Sequence, residues 1–300
     1  MKKSLLVLLI IGILLTFGGG VVFVVGFASA GWDYKALSGT QLETVRFTES
    51  AENPITALAL DFDNSDITVV FDETAESVVV EYSLLETRKG KNLSEVTLIN
   101  EDGKLILIEK ISSWKLGLWD FTNPKTTIIL PAARSYALAI ETDNGDLTLT
   151  GAGQTTSLSV NTDNGDLTLT NIVCENTITL NSDNGTILLE NITAKTLTAE
   201  SDDGNIRIKG NLLAEHIQMQ SDNGDIKTEE GILDGKNLVF ESDNGDIKVQ
   251  LAGKQTDYAV LVKTDNGKSN LAPSLNASQD VRNFKAETDN GNIFVTFAEE

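Results

Sequence analysis

From about residue 136 to the end of the chain, apolar residues fall on every second position in short runs, and the runs come in pairs. Leu158 and Val160 are followed by Leu167 and Leu169, Ile178 and Leu180 by Ile187 and Leu189, and Leu238 and Phe240 by Ile247 and Val249. The residues between them are Ser, Thr, Asn, Glu, Lys and Gln. A period of two predicts strands with one buried face. Between the two runs of each pair stands one corner, a hydroxyl residue followed by Asp-Asn-Gly. It reads Thr142-Asp143-Asn144-Gly145 and starts again at Thr162, Ser182, Ser201, Ser221, Ser242, Thr264 and Thr288. The copy Asp202-Asp203-Gly204 alone lacks Asn.

The copies lie 20, 20, 19, 20, 21, 22 and 24 residues apart, and a fixed period of this length predicts a stacked, quasi-one-dimensional architecture. Each repeat reads as strand, corner, strand and a looser connection. The connection absorbs the length differences, from Asn171-Ile172-Val173 to the longer Ala272-Pro273-Ser274-Leu275-Asn276. A degenerate copy upstream places Leu58 and Leu60 before Asp63-Asn64-Ser65-Asp66 and Ile67 and Val69 after it, so the pattern reaches back to about residue 55.

Two all-β architectures fit. Asn-Gly between alternating runs is a strong hairpin signal, which allows an antiparallel sandwich or barrel of hairpins. That arrangement needs a second layer over its apolar face, and no amphipathic helix of useful length follows residue 40 to supply one. A parallel β-solenoid of coils about twenty residues long solves the problem internally, because the strands of each coil face one another, and it is the favoured expectation. Eight coils stacked about 4.8 Å apart make a rod roughly 38 Å long.

Stacking turns the corner acid into a column: Asp143, Asp163, Asp183, Asp202, Asp222, Asp243, Asp265 and Asp289. Unit charges at that spacing repel by about 1 kcal/mol per pair in water. The favoured reading is turn chemistry, with Asp and Asn accepting local backbone hydrogen bonds and Gly supplying a positive φ. The sharper reading adds Asp146, Asp166, Asp225 and Asp246 and makes the columns Ca²⁺ sites between coils, since oxygen-only ligand sets suit that ion. The spacing matches neither an EF-hand loop nor the Gly-rich Ca²⁺ nonapeptide.

The N-terminus carries the second signal. After Met1-Lys2-Lys3-Ser4, a cytoplasmic stub, residues 5–30 hold no charge. A helix of that length spans about 39 Å, enough to cross a hydrocarbon core of about 30 Å. Ala28-Ser29-Ala30 resembles a small-residue cleavage site, so secretion after Ala30 is the alternative, but the apolar stretch exceeds the usual signal-peptide core of about 7 to 15 residues. A single-pass signal anchor with the rest of the chain outside the cell is therefore expected. Residues 31–54 read as a linker, 55–135 as an irregular β section covering the first coils, and 136–300 as the regular solenoid. Trp114, Trp119 and Phe121 read as an aromatic plug within the irregular section.

The net charge is −21, from 23 basic and 44 acidic residues. It argues against nucleic acid as a partner. Cys174 is the only cysteine, which excludes an internal disulfide, and the one histidine, His216, cannot make a metal site alone. The acids recur at the same place in every coil. A catalytic pair should break the repeat with unequal environments, so no enzyme and no resident cofactor are expected. Thr186 and Lys268, the departures at the fourth corner position, bring no partner set.

The apolar N-terminal span leading into Gly31-Trp32-Asp33, the Asp63 to Val69 strand pair, the Thr127 to Pro131 run and the repeated corner together resemble a bacterial family of unknown function. Its members are labelled putative adhesins and include envelope-stress proteins of the LiaG type. They usually carry Thr where this chain has Asn in the corner. The resemblance implies a membrane-anchored β-helical domain outside the cytoplasm and transfers no catalytic residues. It leaves a surface module binding a cell-wall polymer or envelope protein, an accessory of an envelope-stress sensor, and, least favoured, a polysaccharide-processing enzyme.

Overall fold

The computed structural model describes residues 40–87, 91–111, 124–274 and 281–299. Along the chain run β1 (Thr40–Thr48), β2 (Ala57–Phe62), β3 (Asp66–Asp72), β4 (Val79–Thr87), β5 (Ser94–Glu101), β6 (Lys104–Ile111), β7 (Lys125–Pro131) and β8 (Ser135–Thr142). The regular part continues with β9 (Leu147–Thr162), β10 (Leu167–Cys174), β11 (Thr177–Ser182), β12 (Ile187–Ser201) and β13 (Ile206–Ser221). It ends with β14 (Ile226–Glu230), β15 (Leu233–Asp234), β16 (Asn237–Ser242), β17 (Ile247–Leu251), β18 (Tyr258–Thr264), β19 (Arg282–Thr288) and β20 (Ile293–Phe297). The expected membrane helix and the Trp114 to Phe121 plug lie outside the described residues. No helix among those described is long and apolar enough to cross a membrane.

Strands of successive coils pair in parallel, as a β-solenoid requires, and the hairpin alternative is not adopted. The residues before the corner form one face. In it Leu158 is in register with Ile178, Ile178 with Leu197, Leu197 with Ile217 and Ile217 with Leu238. The residues after the corner form a second face, along the row Ile67, Leu147, Leu167, Ile187, Ile206, Ile226 and Ile247. These side chains are buried, and each contributes about 1.5–3 kcal/mol relative to exposure. Side-chain sizes compensate between coils: Phe240 stands in register between Met219 and Ala286, and its ring meets Phe284 at 5.8 Å.

The looser connection is a second corner, at which the ladder shifts register by a residue in several coils. Gly151, Asn171, Asn191, Gly210 and Gly231 adopt positive φ there. The chain then adds a third, short face on which Ile172, Ile192, Leu212 and Leu233 are buried. Asn tolerates this left-handed conformation better than other side chains, which explains its alternation with Gly in the column. Because the ladder runs through this corner, β9, β12 and β13 each continue across it.

Both ends depart from chain order. The β2–β3 coil is inserted between the β6–β7 pair and the coil begun by β8. At the other end β19 lies between β16 and β18, so the coil of Asp289 precedes that of Asp265. The stretch 31–54, expected as a linker, contains β1, which pairs antiparallel with β4. Together with β5, antiparallel on β6, and β4, antiparallel on β7, it closes the N-terminal end of the stack.

Candidate functional site

The repeated corner is where the sequence concentrates polar groups. Its hydroxyl residue is buried in nearly every coil and holds the turn closed. Thr162 Oγ1 accepts the Gly165 N–H at 3.1 Å, Ser182 Oγ the Gly185 N–H at 2.8 Å and Ser221 Oγ the Gly224 N–H at 2.9 Å. Two of these hydroxyls also donate to the previous coil, Ser182 to the Gly165 carbonyl at 3.1 Å and Ser221 to the Gly204 carbonyl at 2.8 Å. The turn is thus made by the first corner residue, not by local bonds from Asp or Asn as the sequence reading had it. The corner glycines are also not in the left-handed region. They are required by close approach: a Cβ on Gly165 would stand 2.0 Å from the Gly145 carbonyl oxygen.

The Asn side chains form a ladder along the stack. Asn144 donates to Asn64 Oδ1, Asn164 to Asn144, Asn184 to Asn164 and Asn244 to Asn223, at 2.8–2.9 Å. At the end, Asn290 donates to Asn244 and Asn266 to Asn290, each at 2.8 Å. In the fourth corner place the carboxylates accept backbone N–H groups of the next coil: Asp146 from Asp166 (2.9 Å), Asp166 from Thr186 (2.7 Å) and Asp225 from Asp246 (2.7 Å). Those acids are bound to main chain.

The first acids, Asp143, Asp163, Asp183, Asp202, Asp243, Asp289 and Asp265, are exposed, and Asp222 is half-buried. Except for Asp265 in the last coil, their carbonyls are bonded to the next coil, as Asp143 to the Asn164 N–H at 2.9 Å. Asp265 pairs with Lys263 at 3.2 Å. Partial desolvation raises the Asp143 carboxyl, and the charges of Asp163, Asp63 and Asp61 raise it further. Asp202 is raised in the same way, by desolvation and then by Asp222, Asp183 and Asp203. Among the described residues no group of three or more His, Cys, Asp or Glu is placed to hold a metal ion. The columns are rows of like charge about 4.8 Å apart.

Two buried carboxylates were not singled out in the sequence. Glu109, 1 % exposed, accepts the Ser65 hydroxyl at 2.8 and 2.9 Å; burial pushes its carboxyl up, against the lowering effect of that bond, with the Asp63 charge adding to the rise. Glu49 receives Arg134 and the N–H groups of Ile55 and Val78. Each sits among its own structural donors, and they are not assembled as an acid–base pair. The Cys174 thiol is buried beside the Thr177 carbonyl at 3.4 Å, and His216 Nδ1 accepts from Asn237 at 2.9 Å.

On the outward side of the first face, Ser159, Thr179 and Thr198 stand in one row that continues to Gln218, Thr177 and Thr196 stand in register beside it, and Asn161, Asn181 and Glu200 form the row next to the corner. On the second face Arg207, Lys227 and Lys248 share a row, partly neutralised by Arg207 to Glu229 at 3.7 Å and Lys227 to Asp225 at 2.5 Å.

Residues 55–296 match the family described as Toastrack DUF4097. No curated protein matches the chain. Among solved structures, the chain is similar to a Bacteroides fragilis protein described as a putative adhesin, at 16 % identity and TM-score 0.47, over 85 % of this chain and 97 % of that one. A Parabacteroides distasonis protein described as a putative lipid binding protein shows 12 % identity and TM-score 0.42 over 86 % and 96 %. Another from that organism, described as a putative adhesin, shows 11 % and 0.37 over 85 % and 97 %. The corner, its apolar rows and the match across both end sections together carry one conclusion: this chain belongs to the Toastrack DUF4097 family.

Proposed function

We propose that the chain is a non-catalytic binding module: a β-solenoid held outside the cytoplasm by a helix over residues 5–30, presenting its first face to a repeating cell-wall polymer. The observation that carries this reading is the in-register array of Ser159, Thr179 and Thr198 with Thr177 and Thr196 beside it. Short hydroxyl side chains on a flat parallel sheet lose little conformational freedom on binding. Their repeat of about 4.8 Å suits a ligand that is itself periodic. The acids support the same reading, because Asp146, Asp166 and Asp225 are committed to main-chain N–H groups and the exposed first acids repeat in every coil without a distinct pair.

The test is co-sedimentation of the full chain with purified cell-wall material, comparing wild type with Thr179→Arg/Thr198→Arg on the first face and Thr148→Arg/Thr168→Arg on the second. A loss confined to the first-face variant is expected. Equal binding by all three sinks the reading, and a membrane protein recovered with the chain in mild detergent without wall binding would favour the envelope-stress accessory instead. Fractionation of the intact protein tests the anchor: recovery of a soluble chain starting at Gly31 would replace it with secretion.

A further inference from the structure

We propose that Asn266-Gly267 is a spontaneous modification site, at which the Asn266 carboxamide is converted to a carboxylate, while stacking holds the remaining Asn-Gly corners unreactive. The chain has seven Asn-Gly pairs, and all of them are corners. In such a pair the glycine nitrogen, having given its proton to water or hydroxide, attacks Cγ of the asparagine. The new C–N bond forms, the bond to Nδ2 breaks, ammonia leaves, and water then opens the cyclic imide to aspartate or isoaspartate. No redox step is involved.

An interior corner opposes this reaction at the glycine nitrogen and, except at Asn184, whose successor in the ladder is Asp203 with no amide to donate, on both sides of the asparagine amide. The Gly165 N–H is donated to the buried Thr162 hydroxyl at 3.1 Å, and the Asn164 amide is tied on both sides, donating to Asn144 and accepting from Asn184, each at 2.9 Å. Turning Cγ onto the glycine nitrogen requires breaking these bonds in one coil while its neighbours stay packed above and below it.

Asn266 stands at the end of the row. It donates to Asn290 Oδ1 at 2.8 Å, but among the described residues no coil follows to bond its own Oδ1. Thr264 and Gly267 are half-buried, whereas Thr162 and Gly165 are buried. The last unit of a stack contacts a neighbour on one side and opens locally at lower free energy than an interior unit. A carboxylate stands in the Asn place elsewhere in the stack: Asp203 occupies it in its coil and accepts from Asn223 at 2.6 Å, a donor that position 266 lacks among the described residues. Conversion of Asn266 removes its bond to Asn290 and adds a negative charge at that end.

The experiment is peptide mapping by mass spectrometry, with an isoaspartate assay, on the full chain kept for days at mildly alkaline pH, native and in denaturant. Natively, conversion at Asn266 is expected to be at least about tenfold faster than at Asn164 or Asn223, while in denaturant the seven corners react within about threefold of one another. Absence of native conversion at Asn266, or an interior corner reacting as fast, overturns the proposal. Thr264→Val, which removes the acceptor of the Gly267 N–H (2.9 Å), should accelerate the reaction several-fold. An unchanged rate would show that this bond restrains nothing.

Discussion

Arg134 holds Glu49 through one guanidinium nitrogen placed 2.8 and 3.0 Å from its two carboxylate oxygens, joining the start of β8 to the segment after β1. Burial alone would raise the Glu49 carboxyl, but Arg134 and the N–H groups of Ile55 and Val78 outweigh it and the net shift is downward. Arg134→Met leaves a carboxylate whose side chain is 2 % exposed without its cation. A loss of about 3 kcal/mol is expected in urea unfolding of the full chain. Because the folded value is depressed, the stabilisation is present above the unfolded value and is lost as pH falls through the folded one.

Glu109 has the opposite sign. Burial raises its carboxyl, so the folded state binds the proton more tightly than the unfolded chain, and stability falls as pH rises from the usual carboxylate value through the raised one. Glu109→Gln keeps an acceptor for the Ser65 hydroxyl and removes the buried charge. The variant should be at least as stable as wild type at neutral pH, with a flatter stability profile across the weakly acidic range. If Glu109→Gln were markedly less stable than wild type at neutral pH, the charge itself would be needed.

The corner should respond to loss of its hydroxyl and to gain of a methyl group in distinct ways. Ser221→Ala strips a buried acceptor from the Gly224 N–H and a donor from the Gly204 carbonyl, with an expected loss of about 1–3 kcal/mol. Gly185→Ala places a Cβ 1.9 Å from the Gly165 carbonyl oxygen. Backbone must move, and a loss of about 3 kcal/mol or more is expected. Denaturant midpoints of the two variants check both; a neutral Gly185→Ala would mean that the coils are spaced more loosely than described.

Row repulsion among the exposed acids predicts that salt stabilises the rod. The thermal midpoint should rise from low to moderate NaCl, as screening shortens the reach of charge to about 8–10 Å. Ca²⁺ and Mg²⁺ at equal concentration should act alike. A rise specific to Ca²⁺ would instead assign ion sites to the columns that include Asp143 and Asp163.

Much of the solenoid was legible in sequence because a period of two fixes which side chains face inward and the constant corner fixes coil length. The pairs Leu158/Val160 and Leu167/Leu169 are buried as their alternation implied. The second corner was also written there, as Gly151, Asn171, Asn191, Gly210 and Gly231, but the alternation of two residue types hid one backbone requirement. Glycine in the main corner suggested a conformation, while its actual reason is the neighbouring coil, which a single repeat does not contain. The exchange of the last two coils could not be read, since Thr264-Asp265-Asn266-Gly267 and Thr288-Asp289-Asn290-Gly291 have identical local chemistry. Only the strand pairing distinguishes their order.

That exchange, with its counterpart at the N-terminal end, changes how the rod carries load. Strands β19 and β20 are bonded into the stack beside β16 and β17, with β18 on the far side of β19. A pull on the C-terminus therefore cannot unwind the outermost coil first, as it would in a simple spiral. It must first strip β20 from β17 and then draw β19 out from between β16 and β18, loading two ladders at once. A tether fixed at one end and pulled at the other would meet a latch before it met the regular coils.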